Sequence, residues 1–455
     1  MRIAIVPALI LGCTAAAAPG LVGGLLGGVT GGLVGGLTGQ LKNTIGKIEQ
    51  QLNDVGVTGS ALLAQLGDIQ PLSKPSSIQD VVTILTKIGG VKPATLLEST
   101  VQLVLSGLGP SNLATVMNQY SAGVNSENNI NREPASPVYP AAAGDVPYSI
   151  TEEKLRGAIY IPSTFTYGKK PPVILVPATG TKGGFTYYNN LGKLLPQQEY
   201  ADPVWLNVPG WLLEEVPWNS EFVAYAINYI SGITSRNVSV VALSQGNLNT
   251  QWALTYWPST RALVSDYIAV SPDYHGSAII EAMCPSLGLL SCTPSLSQQT
   301  YTSNFIQSFR QRSAAAFVPT TTIYTATDEI VQPQHGTGAS GYLLQDSSRP
   351  AAGVVNVELQ KVCPLDSPAS LLSDHVSPLW GAALQALIKD ALTHDGPADI
   401  SRIPNWTGEC SKLAADGLTL ADVVGTTSIG PIAVASWLLY PKRVTTEPAV
   451  PAYAL

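Results

Sequence analysis

Apolar and polar positions divide the 455-residue chain into a helical part and a part in which strands alternate with helices. Between residues 41 and 125, apolar residues recur at helical spacing, for example over Ile78–Ile88, and predict a small helical extension or prodomain with a structural role. Residues 126–146, rich in Asn, Pro and Ala, are typical of a linker. From residue 147 to residue 455, β-branched runs alternate with helical patterns, which predicts one α/β domain with a mainly parallel sheet covered on both faces.

The amino terminus has the pattern of a secretory signal. Arg2 precedes an apolar run over Ile3–Leu11, and four alanines end at Ala18, after which we expect cleavage of residues 1–18. Residues 19–40 repeat a four-residue unit rich in Gly and Leu, a low-complexity tract without large side chains at core spacing. The sequence therefore predicts a secreted, extracellular protein.

Composition and charge argue against several classes of partner. Charged residues make up 12 % of the chain and the net charge is −7, so no basic patch exists to neutralise the phosphates of a nucleic acid. The four histidines are scattered without metal-ligand spacing, and no Gly-rich loop matches a nucleotide-binding fingerprint. We therefore expect a monomer that binds no metal, no organic cofactor and no nucleic acid.

The candidate chemistry begins where one apolar run stops. Val238–Leu243 is typical of a buried strand, and Ser244, Gln245 and a helical segment follow it. A serine at the sharp turn between a strand and a helix forms a nucleophile elbow, which requires small residues two positions before and after it. Ala242 and Gly246 meet that requirement, so Ser244 is the predicted nucleophile.

The nucleophile needs a base and an acid that orients the base, with the acid at the end of a later strand. Thr320–Ala326 has strand composition and leads into Asp328, the predicted acid. Glu329 and Asp374 are second choices, because Glu329 alternates to the opposite face and Asp374 adjoins the base. Glu329 and Asp273, which follows another strand, are expected in the pocket.

Three histidines lie well downstream of the serine. His375 occupies a loop-like stretch before an apolar run and is the predicted base. His394 opens a His-Asp-Gly-Pro turn, and His335 lies close after the acid, so that one loop would have to supply both partners. We therefore interpret His335 and His394 as surface or capping residues.

A serine that attacks an acyl carbonyl also needs backbone N–H groups that face the developing oxyanion. One comes from the residue after the nucleophile, here Gln245. The second is expected in the Gly-rich loop Ala178–Gly184, which follows the apolar run Pro172–Pro177. Thr179 in that loop can offer both its N–H and its hydroxyl, so Thr179 and Gln245 are the predicted oxyanion hole.

Several segments together resemble the Candida antarctica lipase B group of fungal lipases, within the α/β-hydrolase superfamily. The matching segments, in the order that the family has them, are Leu175–Thr181, Ser244–Gly246, Gln251–Ser259, Ser271–Gly276, Tyr324–Gln334 and Asp374–His375. The resemblance implies a lipase with Ser244, Asp328 and His375 as its triad, and Thr179 and Gln245 as its oxyanion hole. The best-known member has tryptophan before its nucleophile where this chain has Leu243, so we expect Leu243 to line a wider pocket.

Cysteines and glycosylation sequons fit the predicted export. Cys13 leaves with the signal, and the mature chain keeps Cys284, Cys292, Cys363 and Cys410. Spacing favours pairing of the first two and of the last two, although four cysteines permit three connectivities. The last two also match one disulfide of the related family by position relative to the histidine. Sequons lie at Asn237 and Asn405, and Asn405 is the better candidate because Asn237 begins the strand before the elbow.

Two classes of function remain open. The leading prediction is a secreted serine ester hydrolase acting on lipid or other carboxylic esters, most simply a triacylglycerol lipase. Short-chain esterase, polyester hydrolase and acyltransferase are alternatives within that class. A non-catalytic secreted surface protein that keeps the hydrolase fold is the alternative outside it. Residues 277–297, which follow a strand near the pocket, are expected to form either a lid or an ordinary helix pair.

Overall fold

The computed structural model of this protein describes residues 43, 67, 69–91, 96–110, 113–118, 120, 122–283, 292–371 and 374–455. The predicted signal, the Gly/Leu tract and Cys284 lie outside the described residues, as do residues 284–291 of the segment 277–297 expected to form a lid or a helix pair. The predictions for those segments stay predictions.

A seven-stranded sheet forms the centre of the molecule. The strands are β1 (Ile159–Tyr160), β2 (Pro172–Val176), β3 (Asp202–Leu206), β4 (Val238–Leu243), β5 (Val264–Val270), β6 (Thr320–Tyr324) and β7 (Val354–Glu358). Their order across the sheet is β1-β3-β2-β4-β5-β6-β7. The first strand is antiparallel to β3 and the other neighbours are parallel, so the predicted, mainly parallel sheet is confirmed.

Helices precede the sheet, cover both of its faces and follow it. Before the sheet lie α1 (Ile78–Val91), α2 (Leu96–Leu105), α3 (Leu113–Asn118) and α4 (Glu152–Gly157). Between strands lie α5 (Gly183–Tyr187), α6 (Leu191–Leu194), α7 (Val216–Thr234), α8 (Gln245–Tyr256), α9 (Ala278–Met283), α10 (Pro294–Gln298) and α11 (Asn304–Arg312). After β7 follow α12 (Leu359–Val362), α13 (Pro368–Leu371), α14 (Ala382–Thr393), α15 (Trp406–Ser411), α16 (Leu420–Thr427) and α17 (Ile429–Leu439).

The central strand β4 is buried along its whole length, which explains its continuous β-branched run. Its side chains alternate between two hydrophobic cores, one on each face of the sheet. Ala242 belongs to the core that contains Phe222 of α7 and Trp252 of α8. Leu243 belongs to the opposite core, which contains Leu387 of α14. The sheet is therefore covered on both faces, as the sequence predicts.

The helices of the amino-terminal segment pack on the last helices of the chain. Val101 and Leu105 of α2 share a core with Ala435 and Leu438 of α17. Every residue of α2 from Ser99 to Leu105 except Leu103 is buried, and Leu103 is partly buried. A helix that is buried on all sides is integrated into a core rather than laid over a surface.

Helices α16 and α17 together form a stretch, Leu420–Leu439, that is long and apolar enough to cross a membrane by length and composition alone. In the folded protein 72 % of the most apolar 18 residues of that stretch are buried. This burial is typical of a core helix in a folded domain, and the contacts of α17 with α2 account for its apolar character.

A disulfide joins Cys363 at the end of α12 to Cys410 in α15, as spacing favours. Cys292 is also disulfide-bonded, while Cys284 lies outside the described residues. Asn237 and Asn405 are both exposed, so position alone does not rank one sequon above the other. Glycosylation stays a prediction at both.

Candidate active site

The chain turns at Ser244 with a backbone conformation that residues other than glycine rarely adopt. Its φ is 53° and its ψ is −129°, directly between β4 and α8. Such strain persists only when the surrounding structure enforces it. A Cβ atom on Gly246 would lie 2.5 Å from the carbonyl oxygen of Pro177, which explains why glycine stands two positions after the serine. The predicted strand–turn–helix elbow is thus present.

Asn247, which the sequence analysis did not single out, stabilises the elbow through hydrogen bonds. Its Nδ2 donates to the carbonyl oxygens of Ser244 and Val270, both at 2.9 Å. Its Oδ1 accepts a hydrogen bond from the hydroxyl of Tyr267 at 2.8 Å. A side chain in the first turn of a helix can reach the backbone three residues earlier. The position of Asn247, three residues after Ser244, could therefore have predicted this contact.

His375 and Asp328, predicted from distant parts of the chain, lie together. The imidazole Nδ1 is 2.7 Å from Oδ2 of Asp328, and both side chains are buried. The other carboxylate oxygen of Asp328 accepts the backbone N–H groups of Ile330 and Val331 at 2.9 and 2.8 Å. The hydroxyl of Ser271 donates to the carbonyl oxygen of His375 at 2.9 Å. The carboxylate of Asp328 is therefore oriented to accept a hydrogen bond from the imidazole. His375 is fixed through both its ring and its backbone carbonyl.

The other downstream histidines are engaged elsewhere. Nδ1 of His335 is 2.5 Å from a carboxylate oxygen of Glu358, and the His335 side chain is 74 % exposed. Nδ1 of His394 is 2.9 Å from the carbonyl oxygen of Asp390 at the end of α14. Both occupy the surface and capping positions that the sequence suggested.

The two second-choice acids lie beside His375 and line the same cavity as its ring. Oε2 of Glu329 accepts the backbone N–H of His375 at 2.9 Å. Oδ1 of Asp374 accepts the N–H groups of Val376 and Ser377 at 3.0 and 2.7 Å. Neither carboxylate bonds the imidazole in this structure. The prediction that Glu329 lies in the pocket agrees with its position.

Asp273 lies behind the cavity instead of lining it. Its side chain is fully buried, and among the described residues neither carboxyl oxygen has a hydrogen-bond partner. Burial raises the pKa of this carboxyl to about 7; the carboxylate of Asp328 adds to that rise, while His375 opposes it. The expectation that Asp273 faces the pocket is therefore corrected, because its carboxyl is fully buried and is not part of the described cavity lining.

Leu243 is likewise not a cavity residue. It is fully buried in the core beside α14, because successive side chains of β4 alternate between the two faces of the sheet. The space beside the nucleophile is therefore not set by direct contact of residue 243 with the substrate. The structure therefore does not place Leu243 in the cavity wall, and a wider pocket stays a prediction.

The predicted oxyanion loop and the residue after the serine are in contact. The hydroxyl of Thr179 donates to Oε1 of Gln245 at 2.7 Å. Gln245 also accepts from Nε2 of Gln299 at 2.8 Å and donates to the carbonyl oxygen of Leu212 at 2.9 Å. As the first residue of α8, Gln245 has a backbone N–H without an acceptor within the helix. Gln299, a residue that carried no local signal, thus completes a polar network around the loop.

Ser244, His375 and Thr179 open into one cavity of about 100 Å³. Its remaining described lining is mostly apolar and consists of Ser99, Thr100, Leu103, Ala178, Ile279, Ile280, Leu296, Gln299, Glu329, Ile330, Asp374, Val376, Thr427, Ile429, Gly430, Ala433, Val434 and Trp437. Three of these belong to α2, a helix that the sequence analysis interpreted as a structural extension. The cavity is thus built by the amino-terminal segment, the α/β core and α17 together.

Neighbouring charges raise the pKa of His375, the predicted base. Burial by itself would lower the pKa of the His375 imidazole, but Asp328, and more weakly Glu329 and Asp273, raise it to about 9. Glu329 is exposed although it lines the cavity, and partial loss of solvent there together with the nearby carboxylates of Asp374 and Asp328 raises the pKa of its carboxyl. In the free protein the imidazole therefore keeps its proton above neutral pH.

We expect Glu329→Gln to move the rising limb of the pH–kcat/KM profile to lower pH by about one unit. A base must be neutral to accept a proton, so activity rises as pH passes the pKa of His375. Glu329 is ionised in that range, and its negative charge stabilises the protonated imidazole. Removing that charge lowers the pKa of His375. The profile is measured on a soluble ester with Glu358→Gln, whose carboxylate pairs with surface His335, as the control. An unmoved limb would contradict this electrostatic role.

Known proteins with the same architecture place the chain in a family. No family model matches the chain. It is 33 % identical over 292 residues to the lipase B of Pseudozyma antarctica, an alignment that spans 62 % of this chain and 79 % of that protein. The crystal structure of Aspergillus fumigatus lipase B matches with a TM-score of 0.82 at 42 % identity, covering 90 % of this chain and 100 % of that chain.

The fold is that of an α/β-hydrolase, as the alternation of strands and helices predicts. The chain belongs to the lipase B family of fungal lipases, which confirms the resemblance carried by its motifs.

Proposed function

We propose that this protein is a secreted serine carboxylic ester hydrolase that acts on lipid esters, most simply as a triacylglycerol lipase. One observation carries the proposal: Ser244 and His375 line a single apolar cavity, and Asp328 holds the imidazole at 2.7 Å. Its relatives from P. antarctica and A. fumigatus are named lipases, which supports the same class of reaction.

The reaction passes through an acyl-enzyme. Oγ of Ser244 attacks the acyl carbonyl carbon while His375 takes the hydroxyl proton. The bond from that carbon to the alcohol oxygen then breaks, and His375 returns the proton to the departing alcohol. Water attacks the serine ester with His375 again as base, and release of the carboxylic acid restores the Ser244 hydroxyl. Asp328 keeps the ring oriented and stabilises the imidazolium in each half-reaction.

The negative charge that develops on the acyl oxygen is received by the backbone N–H groups of Thr179 and Gln245. The side-chain network of Thr179, Gln245 and Gln299 supports this role, because it ties the loop to the first turn of α8. Preorganised donors of this kind avoid reorganisation during the reaction, which makes them effective catalysts.

The substrate class follows from the cavity walls. Aliphatic side chains and Trp437 dominate the lining, and such a surface favours acyl chains over polar groups. The cavity carboxyls Glu329 and Asp374 disfavour an anionic substrate portion near the base. The Cys363–Cys410 disulfide and the signal-like amino terminus support action outside the cell.

The proposal is tested with purified, secreted protein and a fluorophosphonate probe. We expect one probe molecule per chain, attached to Ser244, and loss of ester hydrolysis in step with labelling. Rates on p-nitrophenyl esters from acetate to palmitate and on emulsified triolein then define the substrate class. If the folded protein neither reacts with the probe nor hydrolyses any of these esters, the proposed enzymatic function is refuted. A non-catalytic surface protein would then be favoured. Turnover restricted to short, soluble esters would show that the protein is an esterase and not a lipase.

We expect Leu103→Trp to shift substrate preference towards short acyl chains. Leu103 lines the cavity from α2, and a larger ring there removes space that a long chain would fill. The ratio of kcat/KM for p-nitrophenyl palmitate to that for the butyrate should fall about tenfold. Ile84→Trp is the matched control, because Ile84 packs in the same small core as Leu103 without lining the cavity. Equal ratios in both variants would exclude α2 from the substrate site.

A further inference from the structure

One buried tyrosine of the amino-terminal segment bonds directly to the oxyanion loop. Tyr120 is 1 % exposed, and its hydroxyl donates to the carbonyl oxygen of Gly180 at 2.7 Å. Its ring stacks on Phe185 at 4.7 Å and meets Trp211 edge-on at 5.1 Å. The carbonyl oxygen of Trp211 in turn accepts the N–H of Gly180 at 2.8 Å. Residue 180 is therefore held on both of its peptide groups.

The bond from Tyr120 leads to the proposed oxyanion donor through two peptide groups. The carbonyl of Gly180 shares a peptide with the N–H of Thr181, and that N–H donates to the carbonyl oxygen of Ala178 at 3.1 Å. The carbonyl of Ala178 shares its peptide with the N–H of Thr179. Because each peptide group is planar, fixing one end of it fixes the direction of the other.

The opposite side of the loop is closed by α17. Gly180 has a φ of +70°, and a Cβ atom there would lie 2.6 Å from the carbonyl oxygen of Ala433. The loop is thus packed between the backbone of α17 and the hydroxyl of Tyr120. Without that hydroxyl the Gly180 carbonyl loses its bond from the amino-terminal side and gains freedom to rotate.

Further bonds hold the amino-terminal segment itself in place. Oδ1 of Asn125 accepts the N–H of Phe185 at 2.9 Å, and the carbonyl oxygen of Val124 accepts the indole N–H of Trp205 at 2.8 Å. The ammonium of buried Lys182 lies 3.1 Å from a carboxylate oxygen of Glu127. These contacts make residues 122–127 a fixed support for the loop.

We propose that Tyr120 is a positioning residue that orients the Thr179 N–H towards the reacting oxygen. The amino-terminal segment is then part of the catalytic apparatus, although Tyr120 itself does not touch the substrate. The proposal rests on the ester hydrolase function proposed above. Its effect is expected in the transition state, where the oxyanion forms, and not in substrate binding.

Tyr120→Phe tests the proposal, since it removes one oxygen and keeps the ring packing. We expect kcat for p-nitrophenyl butyrate to fall about tenfold with KM unchanged. The Ki of a trifluoromethyl ketone, which forms an oxyanion adduct with the serine, should rise by the same factor. Rates are divided by the amount of fluorophosphonate-labelled protein, so that any unfolded fraction does not count as lost catalysis.

The matched control is Tyr229→Phe. The hydroxyl of Tyr229 also donates to a backbone carbonyl, that of Arg132 at 2.8 Å, but away from the oxyanion loop. Equal kcat and Ki in the two variants, or a change in KM alone, would overturn the positioning role. In those cases the wild type still labels and hydrolyses ester. Failure of the wild type itself would instead refute the proposed function, so the two failures are distinguishable.

Discussion

Ser244→Ala is expected to reduce ester hydrolysis by a factor of about 10⁵ or more while leaving the melting temperature nearly unchanged. The serine oxygen is the proposed nucleophile, and alanine has no atom that can form the acyl-enzyme. Ser244 is held at φ 53° by the elbow, and alanine has a Cβ of the same size, so the folded state loses little. The change is measured by initial rates on p-nitrophenyl butyrate and by thermal unfolding.

The control for this variant is Ser235→Ala. Ser235 also has a positive φ of 54°, but it is exposed at the end of α7. It should keep full activity and full fluorophosphonate labelling. If Ser244→Ala retained more than a small fraction of the wild-type rate, a different nucleophile would have to be sought.

His375→Ala is expected to be about as damaging as loss of the serine, since members of a triad act as a unit. Without the imidazole, Ser244 has no base for its proton and the leaving alcohol has no acid. Initial rates on the soluble ester measure the loss. Added imidazole should restore part of the activity, because the substitution leaves space beside Asp328 for a small base.

His335→Ala is the matched control for the base, because His335 also places Nδ1 against a carboxylate, that of Glu358. Its rate should stay within about twofold of the wild type, as expected for an exposed ion pair. A loss in His335→Ala as large as that in His375→Ala would mean that the base is misassigned.

Local pattern was sufficient to predict the parts of the site that are encoded in one stretch of chain. Three signals are neighbours in sequence: the β-branched run of β4, the small residues two positions before and after Ser244, and the helix that follows. The same holds for Asp328, which follows β6, because parallel strands bring their carboxyl ends to one edge of the sheet. The pairing of His375 with Asp328 then follows from chain order and strand direction.

Contacts between distant segments could not be predicted in this way. Asp273 follows a correctly predicted strand, yet tertiary packing turns its carboxyl away from the cavity. Leu243 was assigned to the pocket by likeness to a relative, although strand alternation sends it to the core. Leu103 and Tyr120 lie in a segment whose amphipathic pattern predicts helices but not the surface on which they pack.

The cavity also has a consequence for the biosynthesis of the protein. Its walls include α2 near the beginning of the described chain and α17 near the end. A growing chain that already contains Ser244, Asp328 and His375 still lacks α17, the helix with which Val101 and Leu105 of α2 share a core. The substrate cavity therefore forms only after the ribosome has released the last helices. A product of premature termination between His375 and α17 would carry all three residues of the proposed triad but would lack this wall of the cavity, and we expect it to be inactive.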